Sequence, residues 1–155
     1  MNGFRYELES RIIGFNGHIF IQKFEEFFEY DFDDLEEIEE IKFVDPNITI
    51  QSLITTDFAT KGILVKSIVP KNIMHYSFIS SDMFIGSKLD DNHIILGSNL
   101  ADSIGAEVGT NVKLFSSNTI SSPFGQLPRS INLEVKGIFN SGMSEYDTSF
   151  AFISL

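Results

Sequence analysis

From Lys42 to the last residue, short alternating or continuously apolar runs are punctuated by glycine, proline and asparagine, and this pattern most constrains the fold. "KFVDP", "ITIQSLITT" and "KGILVKSIVP" read as strands, the first two joined at Asp45, Pro46 and Asn47 and the third closed by Pro70. "NHIILGSNLADSIGAEVGTNVKLFS" reads as a buried strand, a short helix opened near Ser98 and closed at Gly105, a turn at Gly109 and another strand. "INLEVKGIF" and "TSFAFISL" supply two more strands. "KNIMHYSFISSDMF" fits either a short helix or a wandering connection.

Ahead of Lys42 the period is helical. Phe4, Leu8, Ile12 and Phe15 recur at helical spacing with charges between them, which predicts an amphipathic helix over residues 2 to about 14. Asn16 and Gly17 suit its end, and "HIFIQ" predicts a strand at 18–22. Helix and strand together make an α+β chain, whose 155 residues suffice for one core or for two lobes. With neither internal repeat nor low-complexity linker, a second lobe would have to be inserted inside the first.

The net charge of −11 is local. Residues 25–40, "EEFFEYDFDDLEEIEE", hold ten acids and no base, and removing them leaves twelve acids against eleven bases. Phe24, Phe27, Phe28, Leu35, Ile38 and Ile41 keep a helical beat through the run, so it reads as a solvated helix face or as a surface for a basic partner. Without clustered Lys and Arg, nucleic-acid binding is excluded.

The chemistry-bearing residues are sparse. No cysteine is present, which removes disulfides and thiolate zinc sites. His18, His75 and His93 lie far apart without ligand spacing, so no metal is expected. Neither a P-loop nor a dinucleotide-binding glycine pattern occurs, so no cofactor is expected. Gly97-Ser98 is a fragment of a nucleophile elbow. It suits a helix N-cap, or a small serine hydrolase in which Ser98 works with a distant His93 or His75. No run approaches the ~20 apolar residues that span a bilayer, and the first residues lack a signal-peptide pattern.

One stretch remains, "TISSPFGQLPRS", Thr119 to Ser130, a polar loop with two prolines and a glycine around Phe124. It reads as a plain turn with its Phe folded back, or as a finger for a partner. Proline fixes φ, so a bracketed loop loses less entropy when gripped, and Gly125 permits a tight reversal.

Four segments in order, "MNGFRYELESRIIGFNGHIFIQ", "IILGSNLADSIGAEVGTNVKLFS", "PFGQLPRS" and "VKGIFNSGMSEYDTSFAFISL", resemble the extracytoplasmic domain of LolC/LolE-type permeases of lipoprotein-releasing ABC transporters. The likeness is weakest from Phe24 to Asp90. It implies a MacB-like periplasmic domain excised between two transmembrane helices, on the periplasmic side of the bacterial inner membrane. A porter-like lobe would take 1–57 and 111–155, a sabre-like lobe 58–110, and a β-hairpin would protrude. The domain would be non-catalytic, with a separate cytoplasmic ATPase subunit, a second permease and a lipoprotein substrate. The resemblance also makes the loop a hook for the periplasmic carrier chaperone LolA, formed by Pro123, Phe124, Gly125, Gln126, Leu127 and Pro128, with Lys113 and Arg129 as a supporting patch. MacB-like relatives that drive efflux or cell-wall enzymes are the alternative within the same class.

Overall fold

The computed structural model describes residues 2–19, 37–76, 79, 89–123 and 125–154, with the side chains at 11, 13–15, 74, 117–122 and 125–128 outside that description. Its centre is a closed barrel of six strands: β1 (Thr49–Thr55), β2 (Thr60–Ile68), β3 (His93–Gly97), β4 (Asn111–Ser122), β5 (Gly125–Phe139) and β6 (Phe150–Ser154). The strand order around it is β1-β2-β6-β3-β5-β4. Neighbours β1–β2, β1–β4, β3–β6 and β4–β5 are antiparallel, while β2–β6 and β3–β5 are parallel.

Strand alternation produces two cores. Ile54, Ile63, Val65, Ile94, Leu96, Val112, Leu114, Leu133, Val135 and Ala151 point inward and fill the barrel. The helix α2 (Ser98–Ile104) turns off β3 and plugs one mouth with Leu100, Ala101 and Ile104. On the outside, Ile68, Ile95, Phe139 and Phe152 form a second apolar layer covered by Tyr76, Ile79 and Leu89. Phe139 reaches this outer layer because the β3–β5 register shifts between Ile94 and Ile95, which moves the far end of β5 to the opposite phase.

The strands expected at "ITIQSLITT", "KGILVKSIVP", "HIILG", "INLEVKGIF" and "TSFAFISL" all stand in the barrel. Helix and sheet mix, as an α+β chain requires. The segment boundaries at 57/58 and 110/111 fall in the β1–β2 turn and just ahead of β4, and residues 58–110 supply β2, β3 and α2. Gly105 ends α2 at φ 63, where its N–H closes on the last carbonyls.

Several expectations change. α1 (Asn2–Asn16) forms, but Phe4 and Tyr6 are 73% and 76% exposed and Leu8 and Ile12 are exposed too, so its apolar spacing does not mark a face buried in this chain. In the predicted strand 18–22, His18 and Ile19 are irregular and 20–22 lie outside the described residues. Of the acidic run, 25–36 lies outside them as well; Glu37, Glu39 and Glu40 are exposed in a turn, closed by Ile41 N–H on Ile38 O at 2.9 Å, where the helical beat does not continue. "KFVDP" is irregular and pairs with no strand; side-chain contacts hold it against the chain instead. Asp45 accepts from Asn72 Nδ2 at 2.9 Å and from the Tyr76 hydroxyl, and Phe43 stacks on His75 at 4.4 Å. "KNIMH" belongs to a 3-10 helix, Pro70–His75, and Ser144–Ser149 forms a helix, α3, that periodicity did not signal. The cap of α2 is Gly97, with Ser98 as its first helical residue.

Among the described residues no helix is long and apolar enough to cross a membrane.

Candidate partner-docking hairpin

β4 and β5 form a hairpin whose root belongs to the barrel and whose far half does not. β1 pairs with β4 only over Lys113–Ser116, and β3 pairs with β5 only over Glu134–Phe139. Beyond these limits the two arms pair with each other, from Thr119↔Pro128 to Ser122↔Gly125. At ~3.3 Å per residue the β5 arm of the ribbon, from Ser130 to Gly125, reaches roughly 16 Å past the wall. The register shifts between Phe115 and Thr119, so that Ser116, Ser117 and Asn118 stand opposite Arg129 alone. Extra residues on one arm of an antiparallel pair bend it and increase its twist, so this irregularity sets the angle at which the ribbon leaves.

"TISSPFGQLPRS" is thus mostly strand, and the open loop shrinks to a two-residue turn. Pro123 is exposed at its first position, where a fixed φ near −65° suits a type I or II turn. Phe124, the second residue, lies outside the described residues. Gly125, Gln126, Leu127 and Pro128 belong to β5, paired with Ser122, Ser121, Ile120 and Thr119. Leu127 therefore sits down the ribbon rather than at its tip. Proline is tolerated at 128 because both arms are edge strands there and no third strand requires its missing N–H.

Lys113 and Arg129 are both exposed, and the alternation separates them. Lys113 pairs with Asn132, and Arg129 stands three residues from Asn132 on a regular part of β5, so the two cations occupy opposite faces of the ribbon. Lys113 stands between Thr55 and Asn132 across the sheet and has an aromatic ring beside it along β4. Its Nζ lies 5.6 Å from the Phe115 ring, and Phe115 pairs with Leu53, which is 50% exposed. On the Arg129 face Ile131 is 48% exposed. Leu53, Phe115 and Ile131 do not stand out in the sequence because each sits in a run that reads as core strand; alternation turns Leu53 and Phe115 to the barrel's outside, and Ile131 stands on the other face, opposite Leu114, where the ribbon leaves the barrel.

The serine-hydrolase arrangement is not assembled. Ser98 follows β3 and His93 begins it, about 16 Å away at strand rise. His93 Nδ1 accepts from the Asp90 N–H at 3.2 Å, and His75 stacks on Phe43. Among the described residues no cluster of His, Cys, Asp or Glu could hold a metal ion.

The most polar buried group lies on the barrel's outer side. Lys66 on β2 is buried beside Tyr76, with Nζ 5.8 Å from the ring. Burial pushes the Lys66 ammonium below the usual lysine range, against the opposing pull of Asp45. Burial, and then the hydrogen bond to Asp45, hold the Tyr76 hydroxyl well above the usual tyrosine range. Asn72 Nδ2 also donates to Val44 O at 3.2 Å, so the network buttresses residues 44–48 against the barrel.

The fold has a counterpart among solved structures. It is similar to the extracellular domain of the noncanonic ABC-type transporter YknZ from Gram-positive bacteria, with a TM-score of 0.51 at 15% identity, covering 83% of this chain and 62% of that one. In sequence the chain is similar to the lipoprotein-releasing system transmembrane protein LolC: 30% identical over 96 residues to that of Xylella fastidiosa, 59% of this chain, and 29% identical over 114 residues to that of Neisseria meningitidis serogroup B, 68% of this chain. It spans about a quarter of those relatives, 23% and 26%. No protein-family model matches the chain. The resemblance to LolC-type permeases that the four segments carry is thus found in the curated relatives as well.

Proposed function

We propose that the chain is the non-catalytic extracytoplasmic domain of a lipoprotein-releasing permease, and that it docks the periplasmic carrier chaperone, a LolA-like protein, on the β4–β5 hairpin. The observation that carries the reading is the ribbon itself, paired as an antiparallel ladder on both sides of its bulge and free of the barrel on both edges. Ladder pairing holds its backbone in advance of binding, so little conformational entropy is lost on capture. Phe124 at the turn is the anchor, and Pro123, Gly125, Gln126, Leu127 and Pro128 present it. Lys113 and Arg129 act separately, one on each face of the ribbon's foot, and Leu53 and Phe115 give the Lys113 face an apolar floor. ATP hydrolysis falls to a separate cytoplasmic subunit, and the lipoprotein is the cargo of the whole transporter.

A calorimetric titration of the chain with the lipoprotein carrier tests this, run beside a variant with residues 123–128 replaced by a short Gly-Ser turn. Binding by the parent and none by the variant supports the proposal. Absence of binding by the parent overturns it and favours a second reading, a mechanotransmitting domain of the MacB kind, to which the fold likeness to YknZ lends its weight.

A further inference from the structure

The last residue of α1 meets the rest of the described chain. Asn16 Nδ2 donates to the Tyr146 hydroxyl at 3.0 Å, across 130 residues of sequence. Gly17 follows at φ 78, so the chain turns away from the helix axis at the point of contact. Tyr146 lies in α3 and its ring packs against the outer core and Phe150, with ring centroids 5.4 Å apart. An aromatic body held in a core with its hydroxyl turned out can fix a second element at a defined place.

α3 is itself locked to the barrel. The backbone of Asp147 lies against Gly97 with no room for a side chain between them. The buried Asp147 carboxylate accepts from Ser141 N–H at 2.8 Å and Ser141 Oγ at 2.7 Å, two residues past the end of β5. Asn99 of α2 donates to Ser144 Oγ and Thr148 Oγ1 on the same short helix, at 3.3 and 3.4 Å. β5 is the strand that runs on into the projecting ribbon.

We infer that Tyr146 is a positioning residue that fastens the end of α1 to the barrel, and that Asp147 and Ser141 carry that fastening to the strand bearing the hairpin. The inference deepens the relay reading and rests on it for its meaning, since a relay needs its helix and its docking ribbon to move as one body.

The chain has no cysteine, so spin labels at Ser10→Cys and Glu107→Cys report the α1–barrel distance with no background site. A single narrow distance distribution is expected in the parent. Tyr146→Phe keeps the ring and removes the hydroxyl, and the narrow maximum should be lost. Asn16→Asp should restore a partner of reversed polarity, because the tyrosine hydroxyl then donates to the carboxylate, and should keep the maximum. A control pair within the barrel, Asp57→Cys with Glu134→Cys, should not change in either variant. A broad distribution in the parent, a narrow one in Tyr146→Phe, loss of the maximum in Asn16→Asp, or a shift of the barrel pair would each overturn the inference. The measurement needs no chaperone, so its failure is distinct from failure of the docking titration.

Discussion

Replacing Gly97 by alanine should destabilise the domain, although nothing in the backbone at that position requires glycine. Its φ of −65° and ψ of 147° are extended values that any residue adopts. On dihedrals alone Gly97→Ala would stabilise by ~0.4–1 kcal/mol, because the unfolded chain loses freedom. What forbids the methyl is Asp147. A Cβ at 97 would fall inside contact distance of the Asp147 carbonyl oxygen, with the carbonyl carbon at 2.6 Å and Cα at 2.8 Å. These are backbone atoms and cannot rotate aside, so all of α3 must shift by about 1 Å against the outer core. Overpacking of this kind costs ~1–3 kcal/mol, and a backbone clash belongs at the upper end. The net loss should be about 2 kcal/mol, read in urea as a midpoint lowered by roughly 1 M at unchanged slope. On heating, the same loss lowers Tm by about 4–8 °C. Hydrogen exchange at the Ser141 amide, now bonded to Asp147 at 2.8 Å, should accelerate in step. An unchanged or raised midpoint would show that α3 is not packed this closely and would refute the reasoning.

At Gly105 the requirement is conformational: with φ at 63°, Gly105→Ala should cost about 1 kcal/mol in the same urea assay, more if the Phe58 ring, 3.1 Å from the added Cβ, does not yield. Folded Tyr76 keeps its proton where the unfolded chain releases it, so its contribution is full below about pH 10 and is lost as pH climbs above that; Tyr76→Phe should abolish this alkaline fall, and at neutral pH should lose about 1–2 kcal/mol by depriving Asp45 of a donor. Lys66 runs the other way: its depressed folded value means that the unfolded chain binds more protons between that value and about 10.4, so stability rises with pH through that window, and Lys66→Met should flatten the rise in a pH series of unfolding curves. In the docking titration, Phe124→Ala should weaken chaperone binding about tenfold or more, the equivalent of burying one large apolar side chain, while leaving the unfolding midpoint in place.

Local signals were legible where local physics decides the outcome. β2, β3, β5 and β6 follow from β-branched and apolar runs, and the end of α2 at Gly105 from the need for a left-handed residue. Closure of the barrel was not legible. It depends on β1 meeting β4 and on β6 inserting between β2 and β3, pairings of distant segments that no window of sequence contains. α3 was missed because "SEYDTS" is six residues of polar and aromatic character, held as a helix by Asp147, Ser141 and Asn99 rather than by its own period. "TISSPFGQLPRS" reads as a loop because proline and glycine signal breaks; in a two-stranded ribbon the same residues are compatible with a ladder. Its place as the candidate site came from the family resemblance, and the separation of Lys113 from Arg129 emerged only with the register. At α1 the apolar spacing describes a real helix, but the period cannot say what its exposed stripe would meet.

The register of β6 also determines how the barrel bears a load. β6 starts directly after α3, beside the attachment of α1, and Ser154 lies opposite Ile68 at the other end, from which the hairpin leaves. A pull on Ser154 along the axis of β6 is therefore resisted by the strands on either side. The pairs of β6 with β2, from Leu64↔Phe150 to Ile68↔Ser154, and with β3, from Ile94↔Ile153 to Leu96↔Ala151, are strained side by side rather than opened one after another. Bonds loaded in shear share the force and fail together, so the strand resists tension until all its pairs give way at once. A tug on the end of this strand meets all of its pairs together.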